Sequence, residues 1–411
     1  MQQPIPAPNP GPFVTVLRGS SAVRLPHGHQ IQLRVAVEGE PFLVTIRTRY
    51  LPFEGKPNAL PRELWVEVQG PGPGVMDAMG KAVQVSFSAV AVLTVAMNAG
   101  TEPLQVEFAF DASEDQDEHE YFQNCLLDET GLPRMARTIK AQAFVEFFDM
   151  LHLSDRVSRL MMAISQYELA LQNFIPGKES LALAHLYMAM EALTPIAKDR
   201  EIAKHGSQDA LLDAWGIAPK VCRHCGGQIG PGELDSQVRL RALFQNDQEV
   251  YRDARKASDG LEHGFLSGGE IHKYAVQHRD RLGVLVRHAI MNLISDSAPW
   301  RDQLMTEALD RPVPASRAAK YLTCQLIGPG ASLAAPDEVY PRFVVHSSIK
   351  AVDTDEEGNV TVYPEEKATA ILGESVVGQN LKFQIWGPTG AKSILSRTDS
   401  SSVPGSPSPG R

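Results

Sequence analysis

Two periodicities divide the chain, and each predicts a different kind of secondary structure. In the N-terminal part, hydrophobic residues alternate with polar or small ones, and a period of two indicates half-buried β-strands. The alternating segments are "IQLRVAVE" from Ile31, "FLVTIRTR" from Phe42, "LWVEVQG" from Leu64 and "LQVEFAFD" from Leu104. The stretch 75–98 is rich in alanine and methionine, which favours a helix. We therefore expect a β-rich N-terminal domain over residues 13–112.

The period becomes helical from about Arg134. Hydrophobic side chains then recur every three or four residues, which predicts amphipathic helices. The predicted helices are Ala136–Leu151, Asp155–Phe174, Lys178–Ala197, Ser236–Ala257 and Glu270–Ile294. The third, "ESLALAHLYMAMEALTPIA", is apolar on two opposite faces, which is typical of the central helix of a bundle. We expect an antiparallel bundle over residues 134–297, with Glu191 on a helix that has little surface facing solvent.

The strand period returns after Pro312. The segments "YLTCQLIG", "RFVVHSSI", "NVTVYPE" and "LKFQIWG" predict a C-terminal β-rich region over residues 313–396, with a hairpin loop at "DTDEEGN". Residues 1–12 are proline-rich and residues 397–411 form a Ser/Pro/Gly tail, so both are predicted to be disordered. The predicted fold class is α+β: a central antiparallel helical bundle flanked by an N-terminal and a C-terminal β-rich region.

Composition and charge limit the classes of function that the chain can have. The chain has 411 residues, which suits two or three domains, and a net charge of −10, so its overall field does not attract a polyanion. A local basic patch can still bind one. "MQQPIPAPNPGP" lacks the basic and apolar parts of a secretory signal, and Ala89–Met97 is shorter than the roughly 20 residues that cross a bilayer. These features predict a cytoplasmic protein without a membrane partner.

One cysteine pair has the spacing of a zinc knuckle. In "VCRHCGGQIG", Cys222 and Cys225 flank a tight turn that presents two thiolates to one tetrahedral ion. A structural site needs two further ligands, and the other cysteines, Cys125 and Cys324, are single and distant in sequence. We therefore expect a structural zinc site at which two of the four ligands are not identified. A redox dithiol and an inert turn are the alternatives.

A second candidate site lies in "YRDARKASDGLEHGFLSGG" from Tyr251. The glycines predict that "SDGLEHGFLSGG" is a loop between two helices. A histidine at such a junction, here His263, can donate or accept protons beside Asp259. Basic residues one or two turns earlier can hold a phosphate or a carboxylate: Arg252, Arg255 and Lys256. The alternative is structural, with Asp259 capping a helix and His263 bonded to a helix end.

The order of these segments resembles the HEPN superfamily of nucleotide-binding helical bundles. The resemblance covers about residues 134–297 and rests on "LYMAMEALT" followed by the polar junction that ends in His263-Gly264. Active members are metal-independent ribonucleases in which two subunits bring their Arg–polar–His motifs together. The resemblance implies a homodimer in which His263 transfers protons at an RNA 2′-hydroxyl, Arg255 holds the phosphate and Glu191 is a buried acidic residue.

The motif departs from the family pattern in its spacing. Seven residues lie between Arg255 and His263, whereas the family allows four to six. Lys256 has the right spacing but lacks the planar fork that grips a phosphate. We therefore expect an accessory protein whose HEPN-like bundle binds RNA, a nucleotide or a protein partner without cutting.

Two alternative functions follow from the same residues. The first is an endoribonuclease that uses His263 and Arg255. The strings "ASDGLEHG" and "LYMAMEAL" are also similar to proteins labelled methylamine utilization MauJ-like. That similarity suggests the second alternative, a zinc-stabilised metabolic accessory protein of methylamine-utilization type.

Overall fold

The computed structural model describes most of the chain in two compact units. The described residues are 11–53, 56–113, 119–124, 137–175, 177–217 and 232–314, with the strands 319–327, 342–354, 360–371, 377–387 and 390–396. The first unit contains the described parts of residues 1–50, 61–129 and 133–316. The second contains those of residues 51–60 and 317–411. The predicted zinc knuckle and most of both predicted disordered ends lie outside the described residues.

A six-stranded sheet lies mostly in the first unit. Its strand order is β3-β4-β5-β1-β6-β7, and the pairs β3–β4, β5–β1, β1–β6 and β6–β7 are antiparallel. The strands are β1 (Phe13–Gly19), β3 (Gln30–Val37), β4 (Glu40–Phe53), β5 (Lys56–Gly70), β6 (Gln105–Asp111) and β7 (Tyr121–Gln123). A short parallel pair joins β2 (Val23–Arg24) to β8 (Arg137–Thr138). The four strands predicted from alternation are confirmed.

The strand β1 was not predicted, although it lies inside the sheet. Its residues Thr15, Val16 and Leu17 are all buried, so both of its faces are covered. A strand that is buried on both faces has no polar alternation to reveal it.

Helix α1 (Val75–Met97) confirms the helix expected over residues 75–98. It packs on β1 and β6 of the sheet and on α3 (Val157–Gln172) of the bundle. Of the described helices, α1 alone is long and apolar enough to cross a membrane, and 61% of its most apolar part is buried in the fold. Such burial is typical of the core helix of a soluble protein.

The remaining helices follow β8 along the chain. They are α2 (Ala141–His152), α3, α4 (Glu179–His205), α5 (Gln208–Trp215), α6 (Gly232–Val238), a π-helical turn (Arg239–Leu243), α7 (Gln248–His263), α8 (Gly268–Ile294), α9 (Arg301–Leu304) and α10 (Glu307–Asp310). Helix α4 packs against α3, α7 and α8, as its two apolar faces predict. Helix α3 is antiparallel to α4, because Arg156 pairs with Asp199 and Gln166 with His185.

The sheet and the bundle share one hydrophobic core. Leu17 of the sheet, Val92 of α1 and Leu285 of α8 are all fully buried and belong to the same continuous cluster. The boundary predicted between residues 112 and 134 therefore does not separate two cores. The period-two and helical patterns locate the elements, but neither pattern shows that α1 is covered from both sides.

Two arginines hold the C-terminal end of α1. Arg287 of α8 is fully buried and donates to the carbonyls of Val95 and Ala96 at 2.8 and 2.9 Å. Arg137 donates to the carbonyl of Asn98 at 2.8 Å. Burial lowers the pKa of Arg287 to about 10, so its guanidinium stays charged at neutral pH. The two cations meet the negative end of the helix dipole and fix α8 against α1.

The second unit is built from strands alone among its described residues. They are the parts of β4 and β5 within residues 51–60, together with β9 (Ala319–Ile327), β10 (Arg342–Thr354), β11 (Val360–Ile371), β12 (Val377–Gly387) and β13 (Gly390–Ser396). β10 pairs antiparallel with β11, and β12 lies between β9 and β13. The predicted C-terminal strands are confirmed. Thr354 pairs with Val360, which agrees with the predicted hairpin, although its turn residues 355–359 lie outside the described residues.

Candidate functional site

The segment predicted as a glycine-rich loop is mostly helical. Helix α7 continues through His263 and ends at Gly264, which has a φ of 67°. A Cβ atom at Gly260 would lie 2.7 Å from Cδ1 of Leu266, so this glycine admits a close contact with the following loop. The loop prediction for residues 258–263 is wrong because Gly260 serves packing and does not end the helix.

Asp259 does not cap a helix end. The N-terminus of α7 is capped by Asp247, whose Oδ1 accepts from the backbone of Val250 at 3.3 Å. Helix α8 begins with a capping box between Ser267 and Glu270. Asp259 lies inside α7 and faces Arg255, with 3.7 Å between the carboxylate and Nε.

The predicted helix Ser236–Ala257 is interrupted in the structure. Helix α6 runs into the π-helical turn, in which the backbone N–H of Phe244 donates to the carbonyl of Arg239 at 2.8 Å. Gln245 and Asn246 then adopt positive φ values of 51° and 63°. The chain therefore turns before α7 begins.

Three predicted cations lie exposed within little more than one turn of α7. The Nε of Arg252 lies 2.7 Å from Oδ1 of Asp253, and Arg255 faces Asp259. Nζ of Lys256 lies 3.1 Å from the Tyr274 hydroxyl and 5.5 Å from the centre of its ring. The Tyr274 hydroxyl raises the pKa of Lys256. Among the described residues, no carboxylate forms an ion pair with Lys256.

His263 and Arg255 lie more than two turns apart on α7. Eight positions separate them on α7, which corresponds to about 12 Å along the helix axis. His263 is exposed at the last residue of the helix. Asp259 lies four positions from each of them, so it shares a helix face with both.

Glu191 is not a buried carboxylate, so that expectation is wrong. Its side chain is 45% exposed and lies 3.0 Å from the guanidinium of Arg239 in the π-helical turn. Arg239 also donates to the Tyr187 hydroxyl at 3.0 Å. The π-helical turn therefore supplies a cation to this exposed carboxylate.

Glu191 and Arg255 nevertheless belong to one side of the bundle. Burial alone would lower the pKa of Arg255, but the nearby hydroxyls of Tyr251 and Tyr187 raise it, as does Asp259. Burial raises the pKa of Tyr187. Arg239 therefore links Glu191 to Tyr187, and ring contacts with Phe244 link Tyr187 to Tyr251. The linking residues carry no motif that would have identified them.

A buried acid–histidine pair joins α7 to α8. Oδ2 of Asp253 lies 3.0 Å from Nε2 of His278, and Arg252 holds the other carboxylate oxygen. The Arg252 hydrogen bond, and less strongly His278, lower the pKa of Asp253, while burial opposes the shift. Glu249 completes a group whose possible ligand atoms all lie within 4.8 Å of one another.

The side chains of this group could coordinate a divalent metal ion. Their polar atoms, however, already form hydrogen bonds and ion pairs within the protein. Both oxygens of Asp253 are engaged, and Gln277 donates to Glu249 at 2.9 Å. The pair therefore satisfies its buried polar groups without an ion. The i, i+4 spacing of Glu249 and Asp253 was visible in the sequence, but His278 lies 25 residues further on.

No protein-family model, curated protein or solved structure matches the chain.

Proposed function

We propose that this chain is a cytoplasmic accessory protein that binds RNA through α7 without cleaving it. The observation that carries the proposal is the exposed cationic turn on α7, formed by Arg252, Arg255 and Lys256. Two guanidiniums and one ammonium on one helix face can contact successive phosphates. Lys273 is also exposed, on the adjoining helix α8.

The net negative charge of the chain limits its affinity for RNA. A net charge of −10 repels a polyanion at long range, and Asp253 and Asp259 partly neutralise two of the three cations. Binding should therefore be moderate and strongly dependent on salt, as is expected where phosphate contacts dominate.

Geometry supports binding over catalysis. A metal-independent ribonuclease needs a general base within hydrogen-bond reach of the 2′-hydroxyl while a cation holds the same phosphate. About 12 Å of helix separates His263 from Arg255. The resemblance to the HEPN superfamily supports a nucleotide-binding bundle, but a fold does not establish activity.

The test is a binding titration of a fluorescently labelled, mixed-sequence single-stranded RNA across a salt series. The variant carries Arg252→Gln, Arg255→Gln and Lys256→Gln. Its matched control removes the same charges from other exposed positions by Arg34→Gln, Arg159→Gln and Lys140→Gln. Three lost phosphate contacts should reduce the slope of log affinity against log salt by about 2. Affinity indifferent to salt, or equal losses in variant and control, would refute the proposal.

Cleavage is tested in the same preparation. The chain and a His263→Ala variant are incubated with the RNA in EDTA, and we expect no cleavage by either. Cleavage that the His263→Ala substitution abolishes would overturn the non-catalytic part of the proposal and favour the ribonuclease alternative.

A further inference from the structure

A cleft lies beside the π-helical turn, and none of the residues that line it belongs to α7. It has a volume of about 300 Å³ and is bounded by the C-terminal half of α4, the π-helical turn and the C-terminal end of α8. Its apolar walls include Ala197, Leu243, Ala289 and Leu293. This volume is at the lower end of the range for small-molecule sites, so it suits a small ligand better than a polymer.

The charged groups around the cleft leave one cation unmatched. Arg200 forms an ion pair with Asp296, and Lys204 lies 2.6 Å from Glu201. The third cation, Arg241, has no carboxylate partner among the described residues. Three cations and two carboxylates give the cleft a net charge of +1. One further anionic group would neutralise it.

Arg241 is held in place by neutral groups. Its Nε donates to Gln237 at 3.1 Å and its Nη2 to the carbonyl of Trp215 at 3.3 Å. Its guanidinium lies 4.9 Å from the centre of the Trp215 ring. These contacts fix the orientation of the cation without cancelling its charge, which is the arrangement that a preorganised anion site requires.

The backbone next to the cleft is unusual in two independent ways. The π-helical turn supplies Arg241 and Leu243 to the cleft, and π-helical turns occur frequently at functional sites. Gln245, which also lines the cleft, and its neighbour Asn246 both have positive φ values. A residue other than glycine is strained in the left-handed region, and such strain concentrates at ligand clamps.

We propose that this cleft binds a small organic anion. A carboxylate or phosphate group would accept hydrogen bonds from Arg241, while an apolar body of a few carbon atoms would contact Leu243 and Leu293. The charge balance favours one negative charge over two, so a carboxylate should bind more tightly than a phosphate monoester. This site is separate from the proposed RNA-binding helix face and does not depend on it.

The experiment is calorimetric titration of the full chain with benzoate, phenyl phosphate and the neutral analogue benzamide. Benzoate should bind, phenyl phosphate more weakly, and benzamide at least tenfold more weakly than benzoate. Arg241→Gln should weaken benzoate binding at least tenfold, Arg241→Lys should retain part of it, and Arg159→Gln, an exposed change on α3, should leave it unchanged. Equal binding of benzamide and benzoate, or binding unaffected by Arg241→Gln, would overturn the proposal.

A measurement on the unsubstituted chain covers the case in which the Arg241 variants do not fold. The chain has four tryptophans, and the guanidinium of Arg241 lies over the ring of Trp215. Benzoate should therefore shift the indole N–H resonance of Trp215, assigned with Trp215→Phe, and leave the other three in place. No shift of the Trp215 resonance at saturating benzoate would refute the site.

Discussion

The carboxylate of Asp253 and the imidazole of His278 lie 3.0 Å apart across the α7–α8 interface, and each residue is less than a tenth exposed. Lys256 contacts Tyr274 and Asp247 pairs with Arg281 along the same interface, so the two helices are antiparallel. The exposed cations of α7 are thus carried by a helix whose inner face is fixed by a polar pair.

Replacing Asp253 by alanine should lower the free energy of unfolding by about 3 kcal/mol, because the substitution leaves a buried imidazole without its partner. Asp259→Ala, which removes an exposed carboxylate from the same helix, should change it by less than about 1 kcal/mol. Urea unfolding of the three proteins at neutral pH measures the difference. Equal losses in both variants would show that the Asp253–His278 pair does not stabilise the interface.

The same pair predicts how stability depends on pH in acid. The folded pKa of Asp253 is lowered, so its stabilisation is present above the ordinary aspartate pKa of about 3.9. It is lost as the pH falls below that value and through the lower folded pKa. Asp253→Asn should therefore flatten the acid limb of the stability curve. A parallel acid limb in the variant would contradict the assignment.

For Glu168 of α3 we expect the opposite dependence of stability on pH. It is 2% exposed, one of its carboxylate oxygens has no partner among the described residues, and burial raises its pKa to about 8. The unfolded chain ionises at an ordinary glutamate pKa while the folded chain stays neutral. Stability is therefore highest below the unfolded pKa and is lost as the pH rises toward 8.

Glu168→Gln should remove this loss. Because each unit of pKa corresponds to about 1.4 kcal/mol, the variant should gain a few kcal/mol over the unsubstituted chain at pH 8 and little at pH 4. Denaturant unfolding at both pH values measures the gain. The control is Glu146→Gln, which makes the same substitution at a less buried glutamate on α2. A gain of the same size at both pH values would rule out ionisation as the cause.

Arg287→Met should destabilise the first unit by roughly 3 kcal/mol or more, because the carbonyls of Val95 and Ala96 lose their buried donor. Arg281→Met, on the exposed side of the same helix, should cost less than about 1 kcal/mol. Thermal unfolding compares the two variants. Similar melting temperatures would mean that Arg287 does not hold the end of α1.

Gly260→Ala tests the packing at the end of α7. The added methyl group would lie 2.7 Å from Leu266, and overpacking of this kind typically costs 1–3 kcal/mol. Gly269→Ala meets no atom within 4 Å and should be neutral or slightly stabilising. Thermal unfolding of both variants tests the difference. A neutral Gly260→Ala would show that the Leu266 side chain moves aside without cost.

The sequence patterns located most strands and helices, and the reasons for the exceptions are specific. Alternation found β3 to β6 because one face of each is polar, and it missed β1, which is buried on both sides. Gly260 and Gly264 predicted a loop, but the helix continues through Gly260 and ends only at Gly264.

The candidate site was predictable only in part. Arg252, Arg255 and Lys256 stood out in the sequence, and their exposure on one helix agrees with a surface role. His278, Arg239 and Arg241 did not, because their partners are distant in sequence or appear only where the helix departs from α-helical geometry.

Helix α1 packs against both the sheet and the bundle. This arrangement limits where the chain can be cut into fragments that fold. A cut between residues 112 and 134 would leave α1 with the sheet and strip the bundle of the surface on which α3 rests. Both fragments would then expose apolar area that the intact unit buries, which favours aggregation. The bundle is therefore not a transferable module, and the folding of each part depends on synthesis of the other.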